Sequence, residues 1–171
     1  MSKAFTRESD DSPEEPLAAR ASLALPAGAR NYLTQDGADR FRAELAELSE
    51  ERARLATGGD DSAEKRHLRR IDQRRADLEE ILSTAEIVAA GACDPDEVCF
   101  GSTVTVRESD GAEFSYRIVG VDETDLDRGW VSWVSPIARA LINARRGEKV
   151  IFRSPAGERK LEIVRIESGG H

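Results

Sequence analysis

The chain has 171 residues, and 25 Lys and Arg against 33 Asp and Glu leave a net charge of −8. That length excludes a large multidomain enzyme and leaves room for one or two small domains with a modest core. With 39% of residues hydrophobic, 5% aromatic and 34% charged, at least one segment carries too little apolar surface to pack on both sides, so a long exposed helical element is expected.

No stretch approaches the roughly 18 apolar residues of a membrane span. The start, Met1 to Glu8, runs into acids and prolines and not into an apolar signal region, so a cytoplasmic location without membrane contact is expected. Cys93 and Cys99 are too few for a disulfide scaffold, and with His67 and His171 they make no zinc spacing. The cysteines are expected to be reduced and incidental, and no metal site of the protein's own is expected. The acidic total argues against sequence-independent binding to duplex DNA, whose affinity comes from neutralised phosphates.

Residues 1 to 30 hold Pro13, Pro16, Pro26 and an acidic cluster from Glu8 to Glu15 without a sustained apolar period, and they read as a disordered tail. At Thr34 the pattern changes. Thr34 can cap a helix, Asp36 and Asp39 suit its N-terminal dipole, and Phe41, Leu45, Leu48 and Leu55 follow helical spacing. After Thr57-Gly58-Gly59-Asp60-Asp61-Ser62 a second run places Leu68, Ile71, Leu78, Leu82 and Ala85 in the same rhythm. Two narrow stripes across a Gly-Gly turn predict an antiparallel coiled-coil hairpin over residues 31 to 90.

Folding the chain about that turn sets Leu55 beside Leu68, Arg52 beside Ile71, Leu48 beside Arg75, Leu45 beside Leu78 and Phe41 beside Leu82. Arg52 and Arg75 then lay aliphatic stems over the seam while their guanidinium groups reach water or a carboxylate. The excess negative charge belongs to residues 31 to 96, with 10 basic and 16 acidic side chains. Within the second arm the cations Lys65, Arg66, Arg69, Arg70, Arg74 and Arg75 dominate, either as a solvated face with cross-arm ion pairs or as a basic side that meets an acidic wall.

A linker spans 91 to 97, and from 98 to 167 the period becomes two. Ser102 to Val106, Phe114 to Val119 and Trp130 to Val134 read as strands, separated by turns at Ser109-Asp110-Gly111 and Asp127-Arg128-Gly129. Ser135 caps a short helix with Pro136 at its first position, and two more strands, Lys149 to Arg153 and Arg159 to Ile166, flank Pro155-Ala156-Gly157. An antiparallel sheet with one short helix on its face makes the whole an α+β protein, closed by a short tail from 168 to 171.

Four segments in order, Phe100-Gly101-Ser102-Thr103-Val104, Tyr116 to Glu123, Ser135 to Leu141 and Ser154 to Glu158, resemble the C-terminal domain of the bacterial GreA/GreB transcription elongation factors. Asn31 to Gly37 and Leu68 to Arg75 look closest to the GreB branch, and the resemblance covers everything but the tail. It implies an FKBP-like C-terminal domain that docks at the rim of the RNA polymerase secondary channel. It further implies a hairpin that enters the channel, contact with nascent RNA or DNA only within the elongation complex, and a monomer without catalysis or cofactor of its own. In such factors tip carboxylates help hold the second catalytic magnesium of the polymerase, a task that suits carboxylates because a hard cation takes oxygen ligands.

The candidate tip residues are Asp60, Asp61 and Glu64. Asp61 and Glu64 keep the family's Asp-x-x-Glu step, Asp60 keeps its Gly-Asp step, and the asparagine that follows in the family is lost. About seven residues are missing from each arm, roughly 10 Å of reach at about 1.5 Å per residue, although losing one heptad from both arms preserves the seam. Cleavage of backtracked RNA and channel occupancy without cleavage both remain open. The resemblance places docking at Trp133, Ser135, Pro136, Ile137 and Arg139. An FKBP-like fold also raises a prolyl isomerase reading, which would need Trp130, Trp133, Phe114 and Tyr116 to line an apolar pocket.

Overall fold

The computed structural model describes residues 25–56, 62–89, 93–154 and 157–169. Pro26 and Ala29 close a turn, and Arg30 pairs with Glu86 at 2.8 Å, so ordered contacts begin inside the segment expected to be a tail. A short strand β1, Tyr32–Thr34, leads into helix α1, Gln35–Leu55. Thr34 caps α1 as expected, its hydroxyl accepting from the Gly37 N–H at 3.0 Å. Helix α2 is Ser62–Thr84, and strand β2, Glu86–Val88, pairs in parallel with β1.

The two helices run antiparallel. Glu44 meets Arg74 at 2.7 Å, Arg52 meets Asp72 at 2.5 Å and His67 meets Glu51 at 2.8 Å. Leu33, Ala38, Phe41 and Leu78 form a buried cluster at their base, with Leu45, Leu48, Ile81, Leu82 and Ala85 packed against it. Arg52 and Arg75, which the pattern sets on the seam, send their guanidinium groups to Asp72, Ser49 and Glu79. The Gly58-Gly59 turn expected to join the helices lies outside the described residues.

The second part is a five-stranded sheet in the order β5-β4-β3-β7-β6. Its strands are β3 Thr103–Glu108, β4 Glu113–Val119, β5 Trp130–Ser132, β6 Lys149–Ser154 and β7 Gly157–Glu167. Alternation puts Val104, Val106, Ile118, Leu161 and Ile163 on one buried face, and helix α3, Pro136–Leu141, covers it with Ala138 and Leu141. The sheet is mixed, not antiparallel as expected, because β4 and β5 run parallel. Their connection is longer than a hairpin turn and passes through two 3₁₀ turns, Val121–Glu123 and Leu126–Arg128.

Cys93 and Cys99 form a disulfide, where a reduced and incidental pair was expected. The chain bends between them, with Glu97 N–H donating to Asp94 O at 3.0 Å and Asp96 N–H to the Asp94 side chain at 3.0 Å. That turn brings their Cα atoms to 6.7 Å, inside the span of about 4.4–6.8 Å that a disulfide bridges. The same loop is pinned to the segment after α3 by Arg146–Asp96 at 2.8 Å and Arg145–Glu97 at 3.3 Å.

Candidate functional site

The candidate residues fall on two parts of the molecule. Glu64 stands in the first turn of α2, where the helix dipole favours an acid. Asp60 and Asp61 lie outside the described residues. From that end the α2 surface carries Arg66, Arg69 and Arg70, all exposed and without a carboxylate partner among the described residues. Arg74 is different, because hydrogen bonding to Glu44 raises its pKa against the opposing effect of burial.

At α3 the five docking candidates divide by burial. Ser135 is only 8% exposed and its hydroxyl accepts from the Ala138 N–H at 3.3 Å, so it starts the helix. Ile137 is half-buried against the sheet core, and Trp133 packs there too while meeting the Tyr32 ring at 5.4 Å. Pro136 and Arg139 are exposed. Three residues apart on α3, they share an exposed side of the helix. Among the described residues no group of three or more His, Cys, Asp or Glu side chains is placed to hold a metal ion.

The four aromatic residues considered for a proline pocket do not line a common one: Trp133 packs on Tyr32, and the other three are separately placed. Trp130 is ringed by guanidinium groups, with Arg128, Arg40 and Arg117 at 4.7, 4.9 and 5.1 Å from its centroid. Tyr116 packs against the core, where burial raises its pKa. Phe114, the second residue of β4, is 43% exposed.

Sequence reasoning missed the junction between the helix pair and the sheet. Tyr32 packs on Phe100 at 5.8 Å as well as on Trp133, Asp36 on α1 pairs with Arg117 on β4 at 2.5 Å, and Asn31 donates to Asp122 at 3.1 Å. At its centre the Glu123 carboxylate accepts from the Thr34 and Gly120 backbone N–H groups at 2.9 and 3.0 Å. The Thr34 hydroxyl donates to it as well. The available signal was Gly37, a glycine three residues into a capped helix, where propensity alone disfavours it.

A slender, charged helix pair keyed onto a mixed sheet domain is the plan of a two-part factor, and the comparisons with known proteins identify the class as transcription elongation factors. The family described as "Transcription elongation factor, GreA/GreB, C-term" matches residues 93–168. Transcription elongation factor GreB of Neisseria meningitidis serogroup A is 36% identical over 153 residues, covering 81% of this chain and 94% of that protein. GreB of Pseudomonas aeruginosa is 40% identical over 149 residues, covering 79% and 89%. Among solved structures, GreA factor homolog 1 (Gfh1) of Thermus thermophilus aligns with 81% of this chain and 99% of its own at 26% identity and a TM-score of 0.39. The chain belongs to the GreA/GreB family.

Proposed function

We propose that this chain regulates transcript elongation by binding RNA polymerase in its secondary channel, as an accessory factor and not an enzyme. In this reading the sheet domain is of the FKBP-like type and seats on the channel rim through the side of α3 that presents Pro136 and Arg139. The helix pair is a shortened coiled coil that points inward, with Asp60, Asp61 and Glu64 at its tip. Arg66, Arg69 and Arg70, exposed on α2, face the acidic channel wall or the nucleic acid inside the complex. The partner is the polymerase, the factor acts in the cytoplasm as a monomer, and it brings no cofactor.

The observation that carries the reading is the division of charge on α2. Arg66, Arg69 and Arg70, without carboxylate partners among the described residues, follow Glu64 of the first turn on a helix whose buried residues are Ile71 and Leu78. Such an element can enter a polar channel without exposing a wide apolar face. The polymerase's magnesium would supply water activation and stabilisation of the leaving oxygen. This chain's part is to bring hard oxygen donors, of which Glu64 is one, to that ion.

A second reading, occupancy without cleavage, is favoured by reach. The 21 residues of α1 rise about 30 Å at about 1.5 Å per residue. Metal coordination tolerates errors of only about 0.2 Å, so even a small shortfall would leave the channel filled and the ion untouched. The isomerase reading finds no support, because the Trp130 ring is already faced by arginines and the Trp133 ring meets Tyr32 edge to face.

The experiment is transcript cleavage by a backtracked elongation complex, with the native chain and with an Asp60→Ala, Asp61→Ala, Glu64→Ala variant. Cleavage by the native chain is expected to fall by about 10²-fold or more in the variant, the scale of losing a positioned charged group. Binding without cleavage by either chain selects occupancy, and no binding to core polymerase rejects both readings.

A further inference from the structure

Thr34, Gly37, Gly120 and Glu123 are spread over the sequence and converge where the helix pair meets the sheet domain. We infer that Glu123 is a positioning residue whose buried carboxylate fixes the direction in which the helix pair leaves the C-terminal domain. The geometric part stands by itself, and its functional consequence rests on the polymerase-binding reading above.

A carboxylate that is 3% exposed needs compensation. Among the described residues no lysine or arginine pairs with Glu123. It is answered instead by three donors: the Thr34 N–H at 2.9 Å, the Gly120 N–H at 3.0 Å and the Thr34 hydroxyl. Two of these belong to the entry into α1 and one to the sheet domain, so a single anion joins both parts. It lies at the N-terminal end of α1, where unpaired N–H groups and the helix dipole favour negative charge. The bonding is directional. The Thr34 hydroxyl accepts from Gly37 and gives its one proton to Glu123, and an ionised carboxylate only accepts.

Both parts make room for this joint by leaving out a side chain. A Cβ at Gly37 would stand 1.9 Å from Glu123 Oε1 and 2.3 Å from its carboxyl carbon. A Cβ at Gly120 would stand 2.1 Å from the backbone oxygen of Tyr32. The first is a side-chain collision and the second is with backbone, so neither part can be rotated on the other without breaking a fitted contact. In the flanking pairs, Asp36 with Arg117 and Asn31 with Asp122, the acids are exposed and their partners half-buried. Glu123 is the buried pin between them.

The consequence is leverage. A small rotation at the pin moves the far end of a helix pair about 30 Å long by several ångströms, while the docking side of α3 stays where it is. Loss of Glu123 is therefore expected to separate binding from action.

The test uses the full chain labelled with ¹⁵N, and residual dipolar couplings are measured for amides of α1, α2 and the sheet. In the native chain one alignment tensor is expected to fit both parts. In Glu123→Gln, which sets an amide N–H against one of the three donors, and in Thr34→Val, which removes the hydroxyl, each part is expected to keep its own coupling pattern. The two parts are then expected to need separate tensors, while Thr34→Ser fits one tensor like the native chain. With polymerase, both disruptive variants should bind as the native chain does and lose about 10²-fold of its effect on backtracked complexes, the scale for a misplaced acting group. A folded variant whose couplings fit the native tensor would overturn the inference. If Glu123→Gln does not fold, Thr34→Val decides, and if the native chain does not bind polymerase the functional reading fails while the couplings still judge the joint.

Discussion

The helix pair and the sheet domain are held together by different means. In the sheet domain ten buried apolar residues, from Val98 to Ile163, form one continuous cluster under α3. In the helix pair the buried cluster is confined to the base, around Leu33, Ala38, Phe41 and Leu78, with Ile71 farther along α2. Beyond that, Leu55 and Leu68 are half-buried and the helices are tied by pairs such as Arg52 with Asp72. The domain is stable through its own core, whereas the pair is stable where it leans on the domain and loses support with distance from it. Burial thus falls along the pair, and the contacts around Glu123 lie at its well-packed base.

This gradient can be broken at chosen points, because both tryptophans, Trp130 and Trp133, sit in the sheet domain. Their fluorescence follows the domain together with its junction to the pair, through Tyr32 and Arg40, and helical ellipticity mainly follows the pair. Ile118→Ala, which empties a fully buried position, is expected to cost about 4 kcal/mol in urea unfolding and to move both signals together. Leu78→Ala, also fully buried, should cost about 3 kcal/mol and move the ellipticity transition more than the fluorescence transition. Leu68→Ala, at a half-buried seam position, should cost only about 1 kcal/mol and leave the fluorescence transition in place. Equal costs at Leu78 and Leu68 would show that the pair has no gradient.

How much of this the sequence discloses follows the same division. The Thr34 cap, the Ser135 and Pro136 start of α3 and the alternation of β3, β4 and β7 are local signals, set by neighbours within a few residues, and they were legible. The β1–β2 pair was not, because it joins Tyr32–Thr34 to Glu86–Val88 across both helices and neither three-residue strand carries a period of its own. The parallel pairing of β4 with β5 was hidden because Asp127-Arg128-Gly129 looks like a hairpin turn, while the chain first spends Val121–Glu123 in a separate 3₁₀ turn. Glu123 itself was visible only as part of an ordered motif. Nothing near it in sequence says that its partner is the helix cap at Thr34. Of the candidate site, Glu64 and the α3 residues could be placed, and burial then separated Pro136 and Arg139 from Ser135, whose hydroxyl serves the helix.

The ion pairs between the helices contribute less than the buried leucines. Arg52 and Asp72 are each 46% exposed, so their attraction is screened and side-chain ordering offsets part of it. Arg52→Ala is expected to lower the ellipticity midpoint by less than about 1 kcal/mol. The change should shrink further in high salt, whereas the Leu78→Ala cost should not. A salt-independent loss at Arg52 would mean that its aliphatic stem over the seam matters more than its charge.

The smallest expected effect belongs to the domain alone. Tyr116 sits half-buried against the core, and burial together with nearby Glu108 raises its pKa, opposed by Arg159. A raised folded-state value means that between the ordinary phenol value of about 10 and the folded value the native state holds more protons than the unfolded one, so stability falls as pH rises through that window. The contribution is fully present below about pH 10 and is lost above the folded value. Tyr116→Phe removes the titrating group and should flatten that alkaline fall in the fluorescence-detected transition, with little change at neutral pH. The ellipticity-detected transition should keep its alkaline slope, because Tyr116 lies on β4 and neither helix contains a tyrosine. Flattening of both transitions equally would mean that the helix pair and the sheet unfold as one cooperative unit through the Glu123 joint.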